Sequence, residues 1–336
     1  MSELESELDA LAAETGFSGV VRVDLADRVV AAAYGLAHRG YGIPNTVDTR
    51  FAIASGTKGL TALTVVSLIE EGRLELATPA RSVLEHDLLL IPDDVTVEHL
   101  LAHRSGIGDY LDEESELDLR DYLMPVPVHE LAATEQYLPA LDGHEPKFAA
   151  GERFAYCNSG YVVLALIAER VTHVPFHELV RQRVCDPAEM GDTGFLRSDE
   201  LPDRTAIGYL APEGSRTNVF HLPVRGSGDG GIYSTAEDIA RLWRAFFAGR
   251  IVSVKWVAEM VRPRSLIATD TRAYGLGFWL DMAADSVMLV GSDAGVSFRT
   301  EYRSREDRIT TLISNTTHGI WSIARHLADR RWHPAP

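Results

Sequence analysis

Apolar positions recur at helical spacing at the start of the chain, where Leu4, Leu8, Leu11 and Ala12 lead up to Gly16. Gly19 to Leu25 and Val29 to Gly35 are β-rich runs, and Ala26-Asp27 between them predicts a hairpin. Tyr41 to Thr49 carries Gly42, Pro44 and Asn45 and reads as a loop into Phe51-Ala-Ile-Ala. From Ser55 to Glu71, Leu60, Leu63, Leu68 and Ile69 mark the buried side of a helix that Gly72 closes. Between about Pro79 and Pro223 the pattern is helix and loop, clearest as helix at Val97 to Ala102, Gly160 to Val171 and Phe176 to Val184.

Further on, Ser234-Thr-Ala-Glu237 has the form of a capping box opening a helix through Phe247. Tyr274 to Leu280, Ser286 to Val290, Val296 to Tyr302 and Arg308 to Ser314 then read as successive strands. A last helix runs from about Ile320 to Arg331, with basic residues at its negative end. Strands at both chain ends with helices between them predict an α+β fold. The economical topology is one antiparallel sheet built from both termini and flanked by helices. The expected organisation is a single domain, with a sheet lobe of about 1–78 and 224–336 and an inserted, mostly helical lobe of about 79–223.

Composition narrows the function. With 46% hydrophobic residues the chain can bury a large core, which argues against disorder. Subtracting 49 acidic from 32 basic residues gives a net charge of −17, and such a surface repels phosphate backbones, so nucleic-acid partners are not expected. Cys157 and Cys185 are too few for a disulfide framework. The acidic start lacks the basic and apolar regions of a secretory signal, and no apolar run approaches the roughly 18 residues of a membrane span. A cytoplasmic protein without membrane partners is the expectation.

One count bears directly on chemistry. Only Lys58, Lys147 and Lys255 are lysines, in a chain that otherwise takes its positive charge from arginine. Arginine does not deprotonate in proteins, whereas a desolvated lysine can. Ser55-Gly-Thr-Lys58 places one of the three a single helical turn after a serine, on the same face. A serine hydroxyl needs a neighbouring base, and a lysine serves near neutral pH when burial and nearby positive potential disfavour its charged form. The same spacing also suits a serine N-cap followed by a first-turn lysine.

Tyr156-Cys-Asn158 is a second candidate, offering a phenol for proton relay and an amide that can bind a substrate carbonyl while contacting the lysine. Cys157 reads as a small buried thiol. His99 with His103, and His173 with His177, have metal-like i,i+4 spacing but no convincing third ligand, so no metal or organic cofactor is expected. Gly226 to Gly231 lacks a following Gly-Lys-Ser/Thr and reads as a close-approach turn beside the active site. The acidic run Asp112 to Asp121 reads as a solvated loop flanking the entrance. Loops near Tyr110, Glu114 and Tyr274 are expected to shape the pocket.

These motifs, in this order, resemble those of the serine β-lactamase and penicillin-binding-protein superfamily, whose S-x-x-K signature Ser55 to Lys58 reproduces. The likeness is nearest to the branch of class C β-lactamases, D-aminopeptidases, DD-carboxypeptidases and family VIII esterases. It extends over Phe51-Ala-Ile-Ala-Ser-Gly-Thr-Lys, Val95 to Ile107, Gly151 to Tyr161, Asp186-Pro-Ala-Glu-Met190 and Gly230 to Asp238. The resemblance implies Ser55 as acylated nucleophile, Lys58 as its base and Tyr156 as proton partner of Lys58. It also implies that Asn158 orients the substrate, and it marks the histidine of the H-L-L-x-H-x-S-G stretch as structural.

The family's third motif, Lys-Thr-Gly or His-x-Gly, is replaced here. The best alignment gives Ser292-Asp293-Ala294 followed by Gly295, an acid in place of a cation. Ser292 and Asp293 are therefore expected in the substrate site, and Gly295 as the second backbone oxyanion donor beside Ser55. Arg299 is the nearest residue able to restore positive charge. Without the motif's cation, a small carboxylic ester is favoured over a β-lactam or peptide carboxylate. The alternatives are a β-lactamase or D-amino-acid peptidase of DD-carboxypeptidase type, an acyltransferase, and a non-catalytic binding protein on the same fold.

Overall fold

A computed structural model describes residues 3–113, 118, 121–267 and 271–330. Its centre is an eight-stranded antiparallel sheet of β1 (Gly19–Asp24), β2 (Val29–Tyr34), β3 (Ser265–Leu266), β4 (Arg272–Tyr274), β5 (Trp279–Asp281), β6 (Ser286–Asp293), β7 (Val296–Arg303) and β8 (Arg308–Ser314). The spatial order is β2-β1-β8-β7-β6-β5-β4-β3, so strands from the two chain ends meet where β1 pairs β8 from Gly19↔Ser314 to Asp24↔Ile309.

Alternation along β1 shows why the sheet must be covered on both faces. Val20 packs into one apolar cluster, while Val21 and Val23 pack into another. The second cluster is closed by α1 (Glu3–Thr15) and α5 (Trp321–Asp329), through Leu4, Leu8, Ile323 and Leu327. The first is far larger and holds α2 (Thr57–Glu70), α3 (Asn158–Thr172) and α4 (Ala236–Phe247) against Leu289, Phe298 and Ile313. Each fully buried leucine in these layers contributes about 2 kcal/mol of transfer free energy.

The helix α2 departs from the expected one-sided burial. Every residue from Thr57 to Leu68 is buried, because the sheet covers one side and helices including α3 the other. Its first turn lies directly on the sheet. A Cβ on Gly56 would sit 2.4 Å from the Phe298 ring, so the close approach needs a glycine there. Three further elements differ in detail. The expected strand Tyr274 to Leu280 is two strands, β4 and β5, with Gly277 at φ +92° in the turn between them. The cap of α4 is Thr235, which accepts from the Asp238 N–H, because Ser234 pairs with Phe51 in a small two-stranded sheet. Edge strand β3, only two residues long, was too short to show a pattern.

Between α2 and α4 the chain contributes α3, short helices such as Val97–Leu101 and Phe176–Val180, and long stretches without regular structure. Of the acidic run Asp112 to Asp121, residues 114–117 and 119–120 lie outside the described residues, and the expected pocket residue Glu114 is among them. No helix among the described residues is long and apolar enough to cross a membrane.

Candidate active site

Ser55 lies on a 3-10 turn, Ala54–Gly56, that leads straight into α2. Ala54 adopts φ 44°, a left-handed conformation that costs a non-glycine residue on the order of 1 kcal/mol. The turn rests against β6, where a Cβ on Gly291 would come within 2.2 Å of the Ile53 carbonyl and 3.0 Å of the Ser55 nitrogen. Glycine at 291 therefore lets the nucleophile's backbone sit on the strand.

Lys58 is buried, with 1% of its surface exposed. Its Nζ is 2.8 Å from Ser55 Oγ, 2.8 Å from Asn158 Oδ1 and 2.8 Å from the Asp229 carbonyl. Asn158 opens α3, and its amide orientation is fixed because Nδ2 donates to the Leu111 carbonyl at 2.9 Å and to Glu113 Oε1 at 3.1 Å. Asp109 accepts the first N–H groups of α3, from Asn158 and Ser159, each at 2.8 Å. A buried carboxylate at a helix N-terminus suits the dipole and locks the end of α3 that carries Asn158.

Tyr156 is half-buried, its phenol is close enough to the Ser55 side chain to feel it electrostatically, and its ring lies 4.9 Å from Lys58 Nζ. Burial, with Glu113 nearby, raises its phenol well above the ordinary value of 10, so it stays a protonated donor. His103 clamps this segment from behind. Its carbonyl accepts from Ala155 at 2.9 Å, its Nδ1 accepts from the Cys157 N–H at 3.1 Å, and its ring lies 4.3 Å from that of Tyr156. Burial holds the imidazole well below its usual pKa and hence neutral, as an Nδ1 acceptor must be. Cys157 is buried with a raised thiol pKa and accepts from Gly160 as the cap of α3.

The Gly226–Gly231 loop does lie at the site. The Gly228 carbonyl accepts from Thr61 Oγ1 at 2.6 Å, the Asp229 carbonyl accepts from Lys58, and the Asp229 carboxylate accepts from Tyr110. Asp229 acts on Lys58 through its backbone, so its side-chain type carried no signal, and Asp109 and Glu113 lay outside the motifs. The histidine pairs serve the framework: His99 Nδ1 accepts the Thr96 N–H, and His177 Nε2 bonds to the Gly226 carbonyl.

At the end of β6 the expectations need correcting. Gly295 is the second residue of a two-residue turn, at φ 71°, and its N–H donates to Thr317 Oγ1 at 2.8 Å. That donor is taken. Asp293 pairs with Val296 to close the hairpin, and alternation along the ladder then turns the Ser292 N–H away from β7, toward the open edge beside Ser55. Arg299 bonds to Met288 Sδ and Glu301 and does not line the cleft.

Ser55, Asn158, Ser292 and Asp293 all line one cleft of about 700 Å³, together with Tyr110, Glu113, Tyr137, Asp229 and Tyr233. Burial, reinforced by Asp229 and Glu113, pushes the Asp293 carboxyl up to about 7.

A family model for β-lactamases matches residues 4–329. The chain belongs to the β-lactamase family. Among its curated relatives, a putative penicillin-binding protein, PbpX of Bacillus subtilis, is 28% identical over 309 residues, covering 90% of this chain and 71% of PbpX. The esterase EstB of Burkholderia gladioli is 29% identical over 300 residues, covering 77% of this chain and 73% of EstB. A solved penicillin-binding protein from Bacillus halodurans superposes with a TM-score of 0.90 at 33% identity, over 96% of this chain and 99% of that one. This β-lactamase-family chain thus has relatives named both for penicillin binding and for ester hydrolysis.

Proposed function

We propose that the chain is a serine hydrolase working through an acyl-enzyme at Ser55, with small carboxylic esters as its first substrate class and small amides as its second. The observation that carries this reading is the environment of Lys58. Two of its three partners, Asn158 Oδ1 and the Asp229 carbonyl, can only accept hydrogen bonds. Those two acceptors hold Nζ in place 2.8 Å from the Ser55 hydroxyl, within reach of its proton.

The proton of Ser55 then moves to Lys58 Nζ as Oγ bonds the substrate carbonyl carbon. The oxyanion so formed faces the N–H groups of Ser55 and Ser292, and one such donor is worth about 10²–10³ in turnover. Tyr156, kept protonated by its surroundings, relays a proton to the leaving group, and water takes the same route in reverse to release the acid. No step requires a metal or an organic cofactor. Esters are placed first because, among the described residues, no basic side chain lines the cleft to hold a substrate carboxylate. The relative EstB, named an esterase, points the same way.

The test is intact-mass analysis after treatment with a fluorophosphonate and, separately, with a fluorescent penicillin. One fluorophosphonate adduct on Ser55, absent from Ser55→Ala, is expected, with no penicillin adduct. A chain that takes no adduct from either reagent is not this hydrolase, and a stable penicillin adduct would move the reading to β-lactam and peptide substrates.

A further inference from the structure

Arginine neutralises carboxylates over much of this molecule. Arg170 bridges Asp87 and Glu135 at 2.7 and 2.8 Å, Arg264 bridges Glu98 and Glu259 at 2.7 and 2.6 Å, and Arg181 meets Asp186 at 2.6 Å. The catalytic cleft is not neutralised in this way. Glu113, Asp229 and Asp293 line it, no described residue forms an ion pair with any of them, and no Lys, Arg or His is among the described lining residues. Lys58 lies beneath, with its Nζ held among Ser55 Oγ, Asn158 Oδ1 and the Asp229 carbonyl.

The three carboxylates differ in what remains open to a ligand. Asp229 is occupied by the Tyr110 hydroxyl. Glu113 accepts one bond, from Asn158, through Oε1. Asp293 accepts one, from the adjacent Ala294 N–H, through Oδ1. Glu113 and Asp293 therefore each keep an acceptor oxygen in a cleft whose aromatic lining, Tyr110, Tyr137 and Tyr233, also favours a cation. Like charges gathered in a partly enclosed space repel, and a positively charged guest relieves the repulsion while filling the open acceptors.

We propose that the cleft selects esters or amides that carry a positively charged amine, with the cationic nitrogen seated against Asp293 and Glu113. This inference rests on the hydrolase reading for the claim that a substrate enters here, and it adds the charge of that substrate. The upward shift of the Asp293 carboxyl, caused first by burial and then reinforced by Asp229 and Glu113, agrees with a carboxyl that has no neutralising partner.

Binding is measured by calorimetry on Ser55→Ala, so that turnover plays no part. Two matched pairs of probes are compared at pH 8: methyl 6-aminohexanoate against methyl heptanoate, and acetylcholine against 3,3-dimethylbutyl acetate. In at least one pair the cation should bind about tenfold or more tighter than its neutral partner. Adding Asp293→Asn should cut that preference to about threefold or less. Asp293→Ser gives a second readout should the amide disturb folding. Equal or tighter binding of the neutral member in both pairs overturns the proposal, as does a preference that survives both Asp293→Asn and Glu113→Gln. Fluorophosphonate labelling of the wild type is scored separately. Labelling without cation preference sinks this inference alone, and cation preference without labelling sinks the hydrolase reading alone.

Discussion

The two walls of the cleft are built on opposite principles. The wall made by the start of α2, the start of α3 and the Gly226–Gly231 loop is saturated with hydrogen bonds: Lys58, Asn158 and Asp109 each hold between two and four defined partners. The wall made by the end of β6 offers an open strand edge at Ser292 and a carboxylate at Asp293 whose one hydrogen-bond partner among the described residues is its own neighbour's N–H. Saturation fixes geometry, which a nucleophile and its base require to within a few tenths of an ångström. Open groups leave binding energy for an incoming molecule. The first wall therefore governs rate and the second selectivity, and substitutions in the two should separate along that line.

The largest effect belongs to Lys58. Lys58→Met keeps the volume but removes the amine, and it leaves Asn158 Oδ1 and the Asp229 carbonyl without their buried donor. Loss of the proposed general base should lower kcat/KM by about 10²–10⁴, and each stranded acceptor costs about 1–3 kcal/mol of stability. Ester turnover and urea unfolding check the two halves. Near-normal turnover in Lys58→Met would break the assignment of the saturated wall.

A smaller loss is expected at His103, which touches the chemistry only through Tyr156. In His103→Leu the Cys157 N–H loses its acceptor inside the core, at a cost of about 1–3 kcal/mol. Tyr156 should then be less well held, so kcat falls while KM stays close to wild type. His103→Asn restores an acceptor and should recover part of both losses. Unfolding in urea and steady-state kinetics on the three proteins give the comparison, and a pure KM effect would contradict a positioning role.

How legible each wall was in the sequence follows from its physics. Ser55 and Lys58 share one helical turn, so spacing alone brought them together. Tyr156 and Asn158 lie about a hundred residues away, and only the resemblance to a known family joined them to Ser55. Their supports were silent for a different reason. The Asp229 contact to Lys58 is made by a carbonyl that any residue type supplies, and Asp109 works as a helix-end acceptor outside either motif. The sheet was readable because β1, β6, β7 and β8 are long enough to show a pattern, whereas the two-residue β3 is not. Gly295 was expected as a free backbone donor because Asp293-Ala294-Gly295-Val296 can turn at more than one register. Only the pairing of Asp293 with Val296 shows that Gly295 belongs to the turn and Ser292 to the edge.

Asp293 supplies the smallest and sharpest test of the open wall, through stability rather than activity. Its carboxyl lies near 7 in the folded chain against an ordinary value of 3.8. Between those two values the folded protein binds the proton and the unfolded chain does not, so stability declines as pH rises across that interval. Below about pH 4 the group is protonated in both states and contributes nothing to the slope, and above about pH 7 the loss is complete. Three units correspond to an upper bound of about 4 kcal/mol, and because Asp293 is only half-buried about 1–2 kcal/mol is the realistic size. Asp293→Asn removes the titration, so its advantage over wild type should be near zero at pH 4, grow through pH 5 to 7 and level off by pH 8. Urea unfolding at those pH values reads the difference directly. A variant less stable than wild type at pH 8 would mean that Asp293 is held by a cation of the protein itself, and the open wall would then be as saturated as the one facing it.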